Sequence, residues 1–119
     1  MGQPECLDVL QALQIDGQYP AVYSDACREQ GTGSDLNVNS PVDGQRLGRF
    51  SCAGDHQLAE AVSLAQDAFA QWRLIPAPQR GEFVRRCGLA FRKNQQQLAE
   101  LISWESGKIF QEARGEVQE

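Results

Sequence analysis

A β-hairpin followed by several amphipathic helices is the fold that the sequence predicts, and two patterns support it. Leu36 and Val38 alternate with polar residues ahead of a turn signal at 40–44. From Asp55 onwards, apolar residues recur every three or four positions, which is the spacing of one helix face. A lone hairpin is marginally stable in water, and the helical stripes need a covering partner. We therefore expect the 119 residues to be the front piece of a larger subunit.

The first 35 residues are predicted to be a lead-in. Three leucines at helical spacing predict a short helix over 5–15, and Gly17 is a natural helix stop. Residues 17–36 are rich in Gly, Ser, Asp and Pro, which predicts a loop. Its Gly31-Thr32-Gly33 run would suit a phosphate only between a strand and a helix, and neither is predicted there. The expected division is a lead-in over 1–35 and a hairpin with helices over 36–119.

Turn and cap signals bound the next elements. Pro41 pre-sets the hairpin turn, and Gly44 takes its positive-φ position. Asp55 is the predicted N-cap of the longest helix. Pro76 and Pro78 end that helix and open the second one. The two stripes consist of Leu58, Ala61, Val62, Ala65, Ala68, Phe69 and Trp72, and then of Phe83, Val84, Cys87, Ala90 and Phe91.

Two further helices are predicted in the last third of the chain. Asn94 followed by Gln97 resembles a capping box, so a third helix begins there and ends at Gly107, its expected C-terminal cap. Lys108 is favourably placed beside this helix end. A fourth helical stretch begins near Ile109 and carries no stop signal up to the last residue, so we expect the chain to end within an element.

Composition and charge exclude several classes of protein. The net charge of −5 disfavours nucleic acid as a partner. No apolar run approaches the roughly 20 residues of a membrane helix, and the N-terminus lacks the pattern of a signal peptide. Four irregularly spaced cysteines suggest reduced thiols in a cytoplasmic protein. The basic group at Arg80, Arg85, Arg86, Arg92 and Lys93 is predicted to be a solvated helix face.

The residues that carry chemistry elsewhere form no catalytic pattern here. Cys87 lies on an apolar helix stripe and is expected to be a buried, inert thiol. Cys52 is predicted to lie in a strand, and Cys6 and Cys27 in the lead-in. The lone His56 follows Asp55, is expected to be exposed and has no metal-ligand neighbour, so zinc is not indicated. Residue chemistry alone therefore predicts no catalytic site.

The order of several short motifs resembles the N-terminal part of NAD(P)-dependent aldehyde dehydrogenases. These motifs are the turn Pro41–Gly44, the helix ending at Phe69 and Trp72, residues 75–82 (IPAPQRGE) and residues 104–108 (WESGK). The 75–82 run and the closing Gly115–Glu119 (GEVQE) resemble the antiquitin group, the α-aminoadipic semialdehyde dehydrogenases. The resemblance covers about residues 19–119. One departure is Ser40, where many relatives have Asn.

The resemblance implies an α/β fold in which this segment forms the N-terminal part of a Rossmann-like cofactor domain. It implies oxidation of an aldehyde to a carboxylate, with α-aminoadipic semialdehyde of lysine catabolism as the expected substrate. In that family a cysteine attacks the carbonyl, a glutamate activates water, and asparagine and backbone donors hold the oxyanion. None of the four cysteines matches that nucleophile, and the reacting groups are expected beyond residue 119. We expect NAD in the full-length enzyme and none on the isolated segment.

Residue roles implied by the resemblance are few. Glu119 is expected to bind the substrate, because the last glutamate of that motif lines the aldehyde tunnel in the antiquitin group. Val38, Asn39 and Glu105 are expected to hold a monovalent cation through their carbonyls. No catalytic or cofactor-binding residue is predicted. The expected partners are the remainder of the subunit and further copies in a homo-oligomer, a tetramer in the family.

Two alternatives remain open at this stage. One is a complete, small helical module that retains this ancestry and binds a partner protein through its apolar stripes. The other is a nucleic-acid binder that uses the basic helix positions, which the acidic balance disfavours. Reading the gene beyond codon 119 separates the module from a piece of an enzyme, because only the latter continues into a cofactor-binding turn.

Overall fold

A computed structural model gives the structure of the protein and describes residues 6–15, 19–24 and 28–119. The predicted stop at Gly17 and the thiol of Cys27 lie outside these ranges. Within them, the elements in chain order are α1 (Cys6–Ala12), β1 (Val22–Tyr23), β2 (Arg28–Glu29), β3 (Asp35–Asn39), β4 (Arg46–Ser51), α2 (Asp55–Trp72), α3 (Ala77–Lys93), α4 (Gln95–Ser106) and α5 (Phe110–Gln118).

The predicted hairpin is confirmed as the pair β3 and β4. At its closed end the Ser40 N–H donates to the Gln45 carbonyl at 2.8 Å, and at its open end the Cys52 N–H donates to the Ser34 carbonyl at 2.9 Å. The strands therefore run antiparallel. Gly44 has a φ of 76°, the left-handed conformation expected of a glycine at this turn position.

The lead-in contains a short strand pair that the sequence did not predict. β1 and β2 pair antiparallel, with Val22 opposite Glu29 and Tyr23 opposite Arg28. The Arg28 guanidinium lies 5.5 Å from the centre of the Tyr23 ring, so a cation–π contact adds to the two-residue ladder. The prediction of an unbroken loop over 17–36 is thus wrong, because two paired residues per strand are too few to produce a periodic pattern.

One predicted helix start is wrong by one residue, and the other is confirmed without its predicted capping box. The N-cap of α2 is Gly54, and Asp55 is the first helical residue. Asn94 precedes α4 as its N-cap but makes no capping bond. Its amide instead donates to the Ala90 carbonyl at 2.9 Å, which ties Asn94 to the end of α3. The predicted end of α4 is confirmed. Gly107 is its C-terminal cap with a φ of 73°, and the Gly107 N–H donates to the Ser103 carbonyl.

The chain divides into two compact units, which we call unit 1 (1–18, 37–48 and 85–119) and unit 2 (19–36 and 49–84). In unit 1, α4 packs against both α1 and α5. Its fully buried apolar residues are Val9, Ala99 and Ala113. In unit 2, the rings of Tyr19 and Phe50 lie 4.4 Å apart, and those of Trp72 and Phe83 lie 5.6 Å apart. No helix in the described ranges is both long and apolar enough to cross a membrane.

The apolar stripes of α2 and α3 are present as predicted but lack cover within the described chain. Phe69 is 59% exposed and Phe91 is 55% exposed. α3 buries none of its residues and α2 buries only Gln57. Cys87, predicted to be buried, is exposed for the same reason. An apolar helix face of this size is typical of a packing surface for further protein.

We expect the isolated chain to lack fixed tertiary packing, because these faces have nothing to bury against. Purified 1–119 should bind a hydrophobic dye such as ANS and give weak near-ultraviolet circular dichroism. A sharp near-ultraviolet spectrum together with a cooperative thermal transition would contradict this expectation and favour a self-sufficient module.

Candidate functional site

The C-terminal end of α5 carries the predicted substrate-binding residue, Glu119. Its backbone N–H donates to the Gly115 carbonyl at 3.2 Å, so the last turn of the helix sets its position. The residue is exposed. Within the described ranges no ion pair or side-chain hydrogen bond engages its carboxylate. A carboxylate placed in this way can accept charge-assisted hydrogen bonds from an ammonium group.

An ion pair joins the start of α5 to its second turn. Lys108, in the loop before the helix, donates from Nζ to Oε1 of Glu116. This hydrogen bond raises the pKa of Lys108 above its usual value, and the charges of Glu116 and Glu112 act in the same direction. Lys108 therefore stays protonated at neutral pH and loses its charge as the pH rises through the alkaline range. The ammonium of Lys108, expected beside the end of α4, is paired with a carboxylate of α5.

The hairpin turn is joined to the end of α4 in unit 1. The Ser40 hydroxyl donates to the Trp104 carbonyl at 2.7 Å and accepts the Val42 N–H at 3.2 Å. Ser40 is 2% exposed, so both hydroxyl bonds lie out of solvent. Gly107 lies against the same turn, because a Cβ added there would be 3.3 Å from Cγ of Pro41. The serine that departs from the family pattern thus anchors the turn.

This junction brings together the segments that carry the predicted cation ligands. Asn39 precedes Ser40, and Glu105 follows Trp104, so the Ser40–Trp104 bond places the two backbone segments side by side. Val38 directly precedes Asn39 in β3. Carbonyls in the last turn of a helix have no intrahelical donor, which suits a hard cation. The described residues contain no cluster of three or more His, Cys, Asp or Glu side chains for a metal.

A buried glutamine fixes the loop that contains Gly31, Thr32 and Gly33. Gln57, 7% exposed, accepts at Oε1 from the N–H and the hydroxyl of Thr32 and from the Gly54 N–H, at 3.0–3.1 Å. Its Nε2 donates to the Gln30 carbonyl at 2.9 Å and to Glu29 at 3.3 Å. Apolar periodicity does not mark a polar residue in the first turn of a helix, so sequence reasoning missed this network.

The same loop does not fit a phosphate or a dinucleotide. The Gly33 N–H donates to the Cys52 carbonyl at 2.8 Å, and the Thr32 N–H donates to Gln57. A Cβ at Gly31 would lie 2.0 Å from the Ser51 carbonyl oxygen. The glycines therefore allow the loop to approach β4, and the N–H groups of Thr32 and Gly33 are used within the protein. The expectation that no strand precedes this run is wrong, because β2 ends at Glu29.

The remaining candidates have simple surroundings. Cys52 follows β4 rather than lying within it and is exposed. The imidazole of His56 is 93% exposed, as expected, and lies 3.9 Å from Glu60 one turn later. On the strand pair β3 and β4, Asp35 accepts hydrogen bonds from Arg49 and Ser51, and these lower the pKa of its carboxyl. In the basic group, Arg80 is half-buried and the other four residues are exposed.

Comparison with known proteins resolves the family. The profile of the Aldehyde dehydrogenase family matches residues 28–119, most of the chain. The chain belongs to the aldehyde dehydrogenase family. Its fold is accordingly that of the α/β class, a hairpin and amphipathic helices from the N-terminal part of the Rossmann-like domain. Aldehyde dehydrogenases are NAD(P)-dependent oxidoreductases.

Curated relatives of this aldehyde dehydrogenase segment include two semialdehyde classes. It is 37% identical over 112 residues to aldehyde dehydrogenase family 7 member A1 of Malus domestica, covering 94% of this chain and 22% of that protein. It is 40% identical over 89 residues to the α-aminoadipic semialdehyde dehydrogenase of Mus musculus, covering 75% and 16%. Malonate-semialdehyde dehydrogenase 2 of Shouchella clausii is 33% identical over 90 residues, covering 76% and 18%. The chain therefore spans about a fifth of the length of the curated relatives it matches.

Solved structures share the fold of the segment. 3,6-Anhydro-L-galactose dehydrogenase in complex with NAP superposes with a TM-score of 0.77 and 30% identity, over 83% of this chain and 21% of that one. NADP-dependent glyceraldehyde-3-phosphate dehydrogenase of Bacillus halodurans, complexed with NADP, gives a TM-score of 0.76 at 24% identity, over 84% and 21%. At 24% identity, the similarity to the glyceraldehyde-3-phosphate dehydrogenase shows a shared fold and nothing more.

Proposed function

We propose that this segment is the N-terminal part of an NAD(P)-dependent aldehyde dehydrogenase that oxidises α-aminoadipic semialdehyde to its carboxylate, a step of lysine catabolism. The observation that carries the proposal is the free carboxylate of Glu119 at the end of α5. An amino acid head at the far end of the aldehyde presents an ammonium group, which this carboxylate would bind.

The choice between the two semialdehyde classes follows from charge. Malonate semialdehyde carries a carboxylate at its far end, and Glu119 would repel it. α-Aminoadipic semialdehyde ends in a zwitterionic amino acid head, and Glu119 would bind its ammonium, a group that malonate semialdehyde lacks. The relatives of that class are 37–40% identical to this chain against 33% for a malonate-semialdehyde enzyme. Electrostatic complementarity therefore favours the amino-headed substrate.

This segment would contribute to the reaction by binding the substrate through Glu119 and by packing against the remainder of the subunit. In the intact enzyme, bound NAD(P) would accept the hydride, and the nucleophile and the water-activating glutamate would come from beyond residue 119. Among the described residues, neither a histidine nor a second ionisable group is bound to the exposed thiols of Cys52 and Cys87. The stripes of α2 and α3 would pack on the remainder of the subunit. The proposed assembly is a cytoplasmic homo-oligomer, a tetramer, without nucleic acid or membrane partners.

Dehydrogenase activity should depend on the remainder of the subunit. Purified 1–119 should form no NADH above blank with any aldehyde, because the described loop that most resembles a phosphate cradle uses its N–H groups internally. The same segment followed by the rest of the family's length should form NADH with α-aminoadipic semialdehyde. Measurable NADH from the 119 residues alone, or none from the intact subunit, would contradict the proposal.

A monovalent cation is proposed at the Ser40–Trp104 junction, held by the carbonyls of Val38, Asn39 and Glu105. The intact subunit should then gain activity or thermal stability when sodium or potassium replaces a bulky organic cation. If neither quantity depends on the ion, and no density appears at the junction, Glu105 is an ordinary solvated carboxylate at a helix end.

A second candidate function is the helical interaction module, which the exposed faces of α2 and α3 favour. Such a module would fold on its own and bind a protein partner through these faces. The dye-binding and near-ultraviolet measurements on the isolated chain separate it from the enzyme segment.

A further inference from the structure

α5 depends on its neighbours for its position. It has nine residues, and isolated helices shorter than about 12 residues are marginal in water. It packs against α4, and each of these helices buries one alanine completely, Ala99 and Ala113. Gln95 of α4 adds a long hydrogen bond of 3.4 Å to the Arg114 carbonyl. These contacts hold the middle of α5, whereas at its end the Glu119 N–H donates to the Gly115 carbonyl of the same helix.

The Lys108–Glu116 ion pair supplies a constraint close to that end. Lys108 lies outside the helix, and its ammonium reaches eight residues forward to the carboxylate of Glu116. Glu119 is the C-cap of α5, three positions after Glu116, and side chains at this spacing are neighbours on a helix surface. Two free carboxylates at this spacing would repel each other. Lys108 neutralises one of them and leaves the other, Glu119, without a side-chain partner among the described residues.

We propose that Lys108 is a positioning residue that acts through Glu116 to hold Glu119 in place for the charged head of the substrate. The inference rests on the proposed function of Glu119. Both members of the pair are close to half exposed, and such a pair adds little to stability. Its value would lie in occupying the Glu116 carboxylate, so that Glu119 alone is left to bind the ammonium of the substrate head.

The test is steady-state kinetics of Lys108→Met in the intact subunit. We expect KM for α-aminoadipic semialdehyde to rise by up to about fivefold with kcat nearly constant, the upper end of the range for losing one exposed ion pair. The change for hexanal, which has no charged head, should be smaller than twofold. Lys108→Arg should restore KM, because it keeps the cation. Lys93→Met is the matched control, since the other lysine is exposed and makes no ion pair among the described residues.

The double variant separates action through Glu116 from a general effect. In a Glu116→Gln background, Lys108→Met should change KM less than twofold, because the carboxylate that pairs with Lys108 is absent. Equal losses on both aldehydes, or an unchanged KM while Glu119→Ala remains selective, would overturn the role of Lys108 and leave the proposed function intact. If Glu119→Ala is itself unselective, the substrate role of Glu119 fails and the role of Lys108 fails with it. Should Lys108→Met not fold, Glu116→Gln and Lys108→Arg supply the comparison.

Discussion

Replacement of Glu119 by alanine in the intact subunit is expected to lower kcat/KM for α-aminoadipic semialdehyde roughly 10- to 150-fold. A hydrogen bond between charged groups contributes about 1.5–3 kcal/mol, and that range converts into this loss. Hexanal should be oxidised nearly as well as before, because it has no ammonium for the carboxylate to bind. The measurement is kcat/KM on the two aldehydes under identical cofactor and salt conditions.

Two further variants sharpen this result. Glu119→Gln keeps the shape of the side chain and removes its charge, so it should reproduce most of the loss. Gln118→Ala removes the neighbouring exposed side chain and should affect neither substrate by more than about twofold. Equal losses on both aldehydes for Glu119→Ala would mean that the residue supports the fold of α5, and the amino-headed substrate would lose its main support.

Local signals predicted most of the elements. Pro41 and Gly44 determine a turn by their own backbone preferences, and the structure has that turn with Gly44 at a φ of 76°. Gly107 likewise closes α4 in the left-handed conformation. The long apolar periodicity of α2 and α3 needs no knowledge of neighbours. Such signals act within a few residues, which is why one sequence was enough to read them.

The errors concern properties that depend on distant residues. Cys87 lies on an apolar stripe and was expected to be buried, but the stripe is exposed, because its cover is absent from the described chain. Asn94 had the composition of a capping residue, yet its amide bonds back to Ala90. Periodicity identifies which face of a helix is apolar. It does not identify what covers that face.

The candidate site was accessible to sequence reasoning only through family resemblance. Nothing in the spacing of Glu119 distinguishes it from other helix-face acids, and the motif that ends on it supplied the hypothesis. The partner of Lys108 was equally hidden, because Glu116 lies eight residues away and the pair forms only when the loop folds back along α5. The Ser40–Trp104 bond, between residues 64 positions apart, required the structure altogether.

Replacement of Gln57 by leucine is expected to destabilise the loop against α2 by about 2–4 kcal/mol, the largest stability effect that we predict. Leucine has nearly the same volume but can form none of the amide's five hydrogen bonds. Removing the amide strands the N–H groups of Thr32 and Gly54 and the carbonyl of Gln30, and each unsatisfied buried group costs about 1–3 kcal/mol. Because these groups are partly exposed, water can replace some of the lost hydrogen bonds, and the expected loss of stability is smaller than the sum of the three costs.

Hydrogen exchange in the intact subunit tests this directly. The amides of Thr32 and Gly54 should exchange much faster in Gln57→Leu, because their acceptor is gone, whereas amides in the middle of α2 should change little. Gln66→Leu is the matched control, since Gln66 is exposed on the same helix and takes no part in the network. If both leucine variants lose the same small amount of stability, solvent must replace the glutamine amide at little cost. The glycines at 31 and 33, which let the loop approach β4 closely, would then hold it without the side chain of Gln57.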